Sequence, residues 1–284
     1  MLVRRSADEI RVSTASTADS AVIERTRTHR GGPKLRHEVD VVILTWNDGP
    51  LLDQAVASAL ESVGVDVRVW VIDNGSEPPA TVVTDPRVRL YRNHKNLGVA
   101  AGRNQGVRVG KAPFVCLLDS DARLHPNTLA TLAGAVDDDP AIGLVGPVFD
   151  DQPPEASGGS APTLLRKLGR AFGRTDVYES TAGVGDRREV DFVIGACQLF
   201  RRQTYYFVGG LDEWYFYGPE DVDFCLRIRE AGMRVQQITS AGCEHPPRRR
   251  NRRVFTARGV RHAVAVLRFL WQHKAFGRKA TVRG

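Results

Sequence analysis

The sequence predicts an α/β protein with a mostly parallel central sheet and helices on both faces. Three observations carry this. Short β-branched or apolar runs alternate with helix-like segments over residues 39–148. The runs are nearly continuous in apolar residues, as in strands covered on both faces. Polar and acidic residues gather where the runs end, the edge at which open α/β sheets bind ligands.

The elements follow in order. VDVVILTW (39–46) reads as the first buried strand, and Asn47-Asp48-Gly49-Pro50 as a turn. LLDQAVASALES (51–62) sets Leu52, Ala55, Val56 and Ala59 on one helical face. Val67 to Ile72 is a strand ending on Asp73, and Val88 to Tyr91 a short one ending near Asn93. A helix is expected over Val99 to Val109, a strand over Phe114 to Leu118, a helix from Pro126 to Val136 and a strand over Ile142 to Val148. Periodicity fails over 150–188, which is rich in Gly, Pro, Ser and Arg; the region is too long for an ordinary connection. It reads as a mobile loop over a site or a variable surface excursion, with one short helix near Leu164 to Phe172. Order returns at Asp191 to Arg202. PEDVDFCLRIREAG then has Pro219 at a first helical turn and Gly232 at the C-cap. Val235 to Ile238 is a last strand. In the final helix, Thr256 to Phe276, the face Val260, Val264, Leu267 and Trp271 is expected to pack on the rest of the protein.

The chain has 284 residues, 42% hydrophobic and 26% charged, with a net charge of +7. The charge is unevenly placed. Residues 1–38 hold 8 Lys/Arg against 5 Asp/Glu, 39–244 hold 20 against 28, and 245–284 hold 12 against none. A basic tail on an acidic middle suits anionic lipid, a phosphorylated ligand or nucleic acid. Residues 1–37 have the composition of a loosely attached arm. Cys116, Cys197, Cys225 and Cys243 are widely spaced and read as core thiols in a reducing compartment. No apolar run approaches the roughly 20 residues needed to span a bilayer, and MLVRRSADEI lacks the apolar segment of a signal peptide. A cytoplasmic location is expected, with peripheral contact at the membrane through the tail; an oligomer contact is the other use of that tail.

Asp119 and Asp121 close the strand CLLDSD, and residues i and i+2 of a strand point to one side. Such carboxylates take a divalent cation that keeps positions for substrate phosphates; the spacing equally suits an ordinary Asp-Ser-Asp turn. Asp73, before Asn74-Gly75-Ser76, either closes an Asx turn or accepts hydrogen bonds from a base or sugar. NHKNLGVAAGRN (93–104) carries Asn96 and Arg103 among glycines that allow either close backbone approach to a ligand or tight helix packing. Glu220 and Asp221 favour a helix N-terminus and also follow the aromatic turn Trp214 to Tyr217, a combination that holds sugars. Asp223 is the residue expected to support that loop. His245 is a structural histidine or a ligand, and Arg248 to Arg253 either grip phosphate or form a solvated basic face.

Together these segments resemble the family 2 glycosyltransferases of GT-A fold, especially rhamnosyltransferase-like and galactofuranosyltransferase-like bacterial members. The resemblance rests on VVILTWN (41–47), VIDNGS (71–76), NLGVAAGRNQG (96–106), LLDSDA (117–122), GACQLFRR (195–202), VGGLDEWYF (208–216) and EDVDFCLRIREAG (220–232). It implies a catalytic domain over 38–245, divided into a nucleotide-sugar half (38–148) and an acceptor half (149–245), with 246–284 as a basic helical extension. It implies Asp221 as catalytic base. Asn47, Asp73, Asn96, Arg103, Asp119, Ser120 and Asp121 would bind the nucleotide sugar, and Trp214, Tyr215 and Glu220 the acceptor. Asp121, His245 and Asp119 would hold Mn2+ or Mg2+. The implied partners are a nucleoside-diphosphate sugar, with dTDP-rhamnose ahead of UDP-sugars, and a glycan, lipid-linked or small-molecule hydroxyl acceptor, with inversion at the anomeric carbon. A nucleotidyltransferase should show a Gly-rich phosphate loop with Lys or Arg after the first strand, and VVILTWNDGP offers neither. A non-enzymatic carbohydrate-binding protein is the other alternative. The four acids Asp73, Asp119, Asp121 and Asp221 make a poor surface for a polyanion, so no nucleic-acid partner is expected.

Overall fold

The computed structural model describes residues 36–161, 185–246 and 257–273. The short helix expected near 164–172, the basic run 248–253 and nearly all of the N-terminal arm lie outside the described residues. In chain order the elements are β1 (His37–Thr45), α1 (Pro50–Leu60), β2 (Val65–Asp73), β3 (Val88–Arg92), α2 (Val99–Val109), β4 (Phe114–Asp119), β5 (Arg123–Leu124), α3 (Thr128–Asp138), β6 (Ile142–Phe149), β7 (Gly158–Gly159), β8 (Arg187–Glu189), β9 (Phe192–Val193), β10 (Cys197–Arg201), α4 (Arg202–Phe207), α5 (Glu220–Glu230), β11 (Arg234–Glu244) and α6 (Ala257–Gln272).

The main sheet runs β3-β2-β1-β4-β10-β6-β11-β5, with β8 against β11. The first four strands are parallel, as are β6 and β11. The sheet is mixed and largely parallel, in keeping with the mostly parallel sheet expected; β10 runs antiparallel between β4 and β6. Val39, Val41 and Ile43 of β1 face one side, where α1 and α3 pack through Leu52, Val56, Leu129 and Leu132. Val42 faces the other side with Ala100 and Val107 of α2, Tyr205 of α4, Phe224 of α5 and Phe269 of α6. The glycines of α2 serve this packing. A Cβ on Gly102 would lie 2.3 Å from Leu44, and one on Gly106 would lie 2.2 Å from Val42, so α2 sits closer to β1 than any side chain allows. The four cysteines are free thiols and buried. Among the described residues no helix is long and apolar enough to cross a membrane.

The last helix corrects the sequence expectation. Among its described side chains Ala265, Phe269 and Leu270 are buried, while Val264, Leu267 and Trp271 are 48%, 58% and 75% exposed; the side chain of Val260 lies outside the described ones. Apolar residues surround much of this helix, so its periodicity admits more than one inward face. Its rotation is fixed by His273, whose ring nitrogens lie 2.8 Å from Asp223 Oδ1 and 3.0 Å from Glu230 Oε1.

Candidate active site

β4 is apolar and buried until Asp119, which therefore emerges at the strand end. The chain turns at once: the Ala122 N–H donates to the Asp119 carbonyl at 3.1 Å. β5 then pairs antiparallel with the end of β11, Leu124 opposite Cys243 and Arg123 opposite Glu244. This pairing brings His245, remote in sequence, beside the two aspartates. Its Nε2 is 3.6 Å from Asp121 Oδ1 and 3.9 Å from Asp119 Oδ2. Phe149 flanks its ring, with centroids 4.9 Å apart. Gln152 Nε2 donates to its carbonyl at 2.7 Å.

Ligand atoms of Asp119, Asp121 and His245 all lie within 4.8 Å of one another. Two carboxylates and an imidazole form a donor set suited to Mn2+ or Mg2+, and an ion with bonds of about 2.1 Å can span that spacing. These three residues would hold the ion. Ser120 points elsewhere and donates its hydroxyl to Asp48 Oδ2. Asp48 is thus a member of this edge that sequence reasoning treated only as part of a turn; its one signal was a position just past the first strand.

Arg103 is the hub of the site. Its side chain is 4% exposed. Nη2 donates to Asp119 Oδ1 at 2.6 Å and to the Gly195 carbonyl at 2.8 Å, while Nη1 lies 3.5 Å from Glu220 Oε1. The Gly195 N–H in turn donates to Asp221 Oδ2 at 2.9 Å. Gly195 has to lack a side chain, since a Cβ there would sit 2.6 Å from Arg103 Nη1 and 3.1 Å from Asp221 Cβ. Arg103 thus ties Asp119 to the start of α5. Its bonds to Asp119, Gly195 and Glu220 run inside the protein.

The electrostatics follow this geometry. Burial pushes the Asp119 carboxyl up against the pull of Arg103. Burial and the adjacent Asp221 push Glu220 up to about 7, again against Arg103. Glu220 Oε2 is buried with no hydrogen-bond partner, an environment that favours the neutral form. Glu220 thus faces the interior, away from the acceptor-contacting surface expected of it. Asp221 is partly exposed at the first turn of α5.

The remaining expected residues divide. Asp73 is fully buried, its oxygens accepting from Ser76 N–H at 2.9 Å, Ala80 N–H at 2.9 Å and Arg92 Nε at 3.2 Å. Burial alone would raise its carboxyl, yet those hydrogen bonds bring it below the ordinary value. It shapes the 73–80 loop. Asn47, at φ 60°, is exposed and accepts from the Glu77 N–H at 2.8 Å. Asn96 accepts from Gly98 N–H at 2.9 Å and Asn74 Nδ2 at 3.0 Å. Asn74, which sequence reasoning passed over, organises this loop by also accepting from the Leu97 N–H at 3.0 Å. Trp214 is 50% exposed, with the Arg268 guanidinium 4.2 Å from its ring centroid. Tyr215 is 0% exposed, a correction: its ring fills the core beneath the turn and presents no surface to an acceptor. Asp223 is likewise fully buried; it binds Arg227 at 2.9 Å, and Arg227 donates to the Gly210 carbonyl at 2.6 Å, which supports the turn before α5.

Residues 40–207 match the family described as Glycosyl transferase family 2. The chain belongs to that family. It is 31% identical over 229 residues to an N-acetylglucosaminyl-diphospho-decaprenol L-rhamnosyltransferase of Mycobacterium tuberculosis, covering 72% of this chain and 75% of the relative. It is 29% identical over 249 residues to a pre-mycofactocin glycosyltransferase of the same species, covering 85% of this chain and 49% of that protein. Among solved structures, the mannosyltransferase PcManGT of Pyrobaculum calidifontis, in complex with GDP-Man and Mn2+, superposes with a TM-score of 0.60 at 18% identity over 87% of this chain and 67% of that one. That likeness establishes the GT-A-like fold. The chain is a glycosyltransferase.

Proposed function

We propose that this glycosyltransferase moves a sugar from a nucleoside-diphosphate donor to a hydroxyl acceptor by a single inverting displacement that needs Mn2+ or Mg2+. The observation that carries the reading is a juxtaposition. A two-carboxylate, one-imidazole cluster and a partly exposed aspartate at a helix start are linked through Arg103 and Gly195. The donor half is residues 38–148 and the acceptor half 149–245.

In this reading Asp119, Asp121 and His245 hold the divalent ion, which when bound offsets charge on the leaving diphosphate. Asp221 accepts the proton of the acceptor hydroxyl, whose oxygen bonds to the anomeric carbon as the carbon–oxygen bond to the β-phosphate breaks. Nucleoside diphosphate leaves with that electron pair. Arg103 holds both ends of the site at fixed separation, so that donor and acceptor meet already oriented.

The donor we favour is dTDP-rhamnose, supported by the 31% identity to an enzyme described as an L-rhamnosyltransferase. The acceptor is a glycan or lipid-linked hydroxyl. A panel of dTDP- and UDP-sugars with Mn2+ or Mg2+, read by thermal shift and nucleoside-diphosphate release, tests this. dTDP-rhamnose should give the largest metal-dependent shift, because a ligand stabilises only by binding the folded state preferentially. A larger response to a UDP-sugar reassigns the donor, and release unchanged by chelator rejects the metal.

A further inference from the structure

We propose that the outward face of α6, formed by Val264, Leu267 and Trp271, is a docking surface for an anionic membrane. These residues lie at i, i+3 and i+7 and are 48%, 58% and 75% exposed, while Ala265, Phe269 and Leu270 on the same helix are buried. The helix is therefore apolar on two faces, and the described residues cover only one. An exposed Trp and Leu on one helical face suit an interface in which an apolar body enters the acyl boundary while polar groups stay wet.

Charge selects the partner. Residues 245–284 contain 12 Lys/Arg and no Asp or Glu. Such a segment is attracted to anionic headgroups. A second copy meeting face to face would bring two acid-free segments together, which repel. The described part of the helix has 16 residues, and among the described residues no helix is long and apolar enough to cross a membrane, so the contact proposed is one along the surface.

The face is tied to the site. Arg268 Nη2 bonds Asp212 Oδ2 at 2.9 Å, and its guanidinium stacks on Trp214. His273 joins the end of α6 to Asp223 of α5, two residues past Asp221. A membrane on this face therefore lies against the aromatic turn that leads into α5, which suits an acceptor hydroxyl carried on a lipid. The lipid-borne acceptor rests on the proposed function; the surface itself does not.

The test is co-sedimentation of the full chain with phosphatidylcholine vesicles, with and without phosphatidylglycerol. The wild type should sediment with the anionic vesicles and be released by salt. Leu267→Ser/Trp271→Ser should lower the partition at least ~10-fold with Tm unchanged, since both side chains are mostly exposed. Should the double variant unfold, Trp271→Ser alone carries the comparison. Failure of the wild type to bind, unchanged partition of the folded variant, or a dimer in light scattering that these substitutions dissociate would each overturn the proposal. No turnover is read, so the outcome is independent of the donor assignment.

Discussion

Arg103→Met removes a guanidinium that is 4% exposed and bonds Asp119, Gly195 and Glu220. Removing one partner of a buried ion pair costs about 3–5 kcal/mol, because the other charge stays buried and unpaired. Two features place this case at the low end. Asp119 is 35% exposed, so water recovers part of its solvation, and Glu220, already pushed up to about 7, takes a proton instead of remaining charged. The expected loss is about 3 kcal/mol, and for a domain of this size each kcal/mol shifts Tm by roughly 2–4 °C. Thermal unfolding at neutral pH should therefore show a fall of about 6–12 °C. Turnover should fall further than stability suggests, by ~100-fold at a temperature where the variant is folded, since the two ends of the site lose their shared tether. Arg103→Lys should recover little of either, because a point-charge ammonium does not reproduce the fork. A Tm within about 1 °C of wild type, or full recovery by lysine, would refute the hub.

Three other outcomes are expected. Asp221→Asn should keep the thermal shift given by the donor while kcat drops at least ~100-fold; near-normal turnover would remove Asp221 from the role of base. His245→Ala should leave the metal-free Tm close to wild type and abolish the extra stabilisation given by Mn2+, and a retained Mn2+ shift would mean the ion sits elsewhere. His273 has its pKa raised, burial opposing but Asp223 and Glu230 outweighing it. A histidine favoured in its charged form stabilises fully below about 6.5, the unfolded value, and that contribution is lost as pH rises through the folded value. Tm should therefore fall as pH rises above neutrality, and His273→Gln should flatten that dependence; a wild-type slope in the variant would assign it to other groups.

Some of this protein is written in local sequence. Continuous β-branched runs must be buried on both sides, so β1, β2, β4 and β6 and their order were legible, and α2 falls on the expected span Val99–Val109. Asp119 and Asp121 were legible as neighbouring acids at a strand end, but β4 stops at Asp119, so the turn that follows, and not the i and i+2 geometry of a strand, sets Asp121 beside it. The approach of His245 depends on β5 pairing with β11, a contact between residues 121 apart in which Arg123 lies opposite Glu244. Arg103 likewise had a visible charge and no visible partner; its bonds run to residues 16, 92 and 117 positions away. Tyr215 and Trp214 are neighbours of the same chemical kind, and only the packing of α5 and α6 buried one and exposed the other. The last helix shows the division most plainly. Its sequence determines that it is a helix with apolar residues on more than one face and basic residues around it. Which face turns inward was decided by the fit of Phe269 into the core and by the pairing of His273 with Asp223, because a helix's periodicity fixes its faces relative to one another and not relative to the rest of the protein.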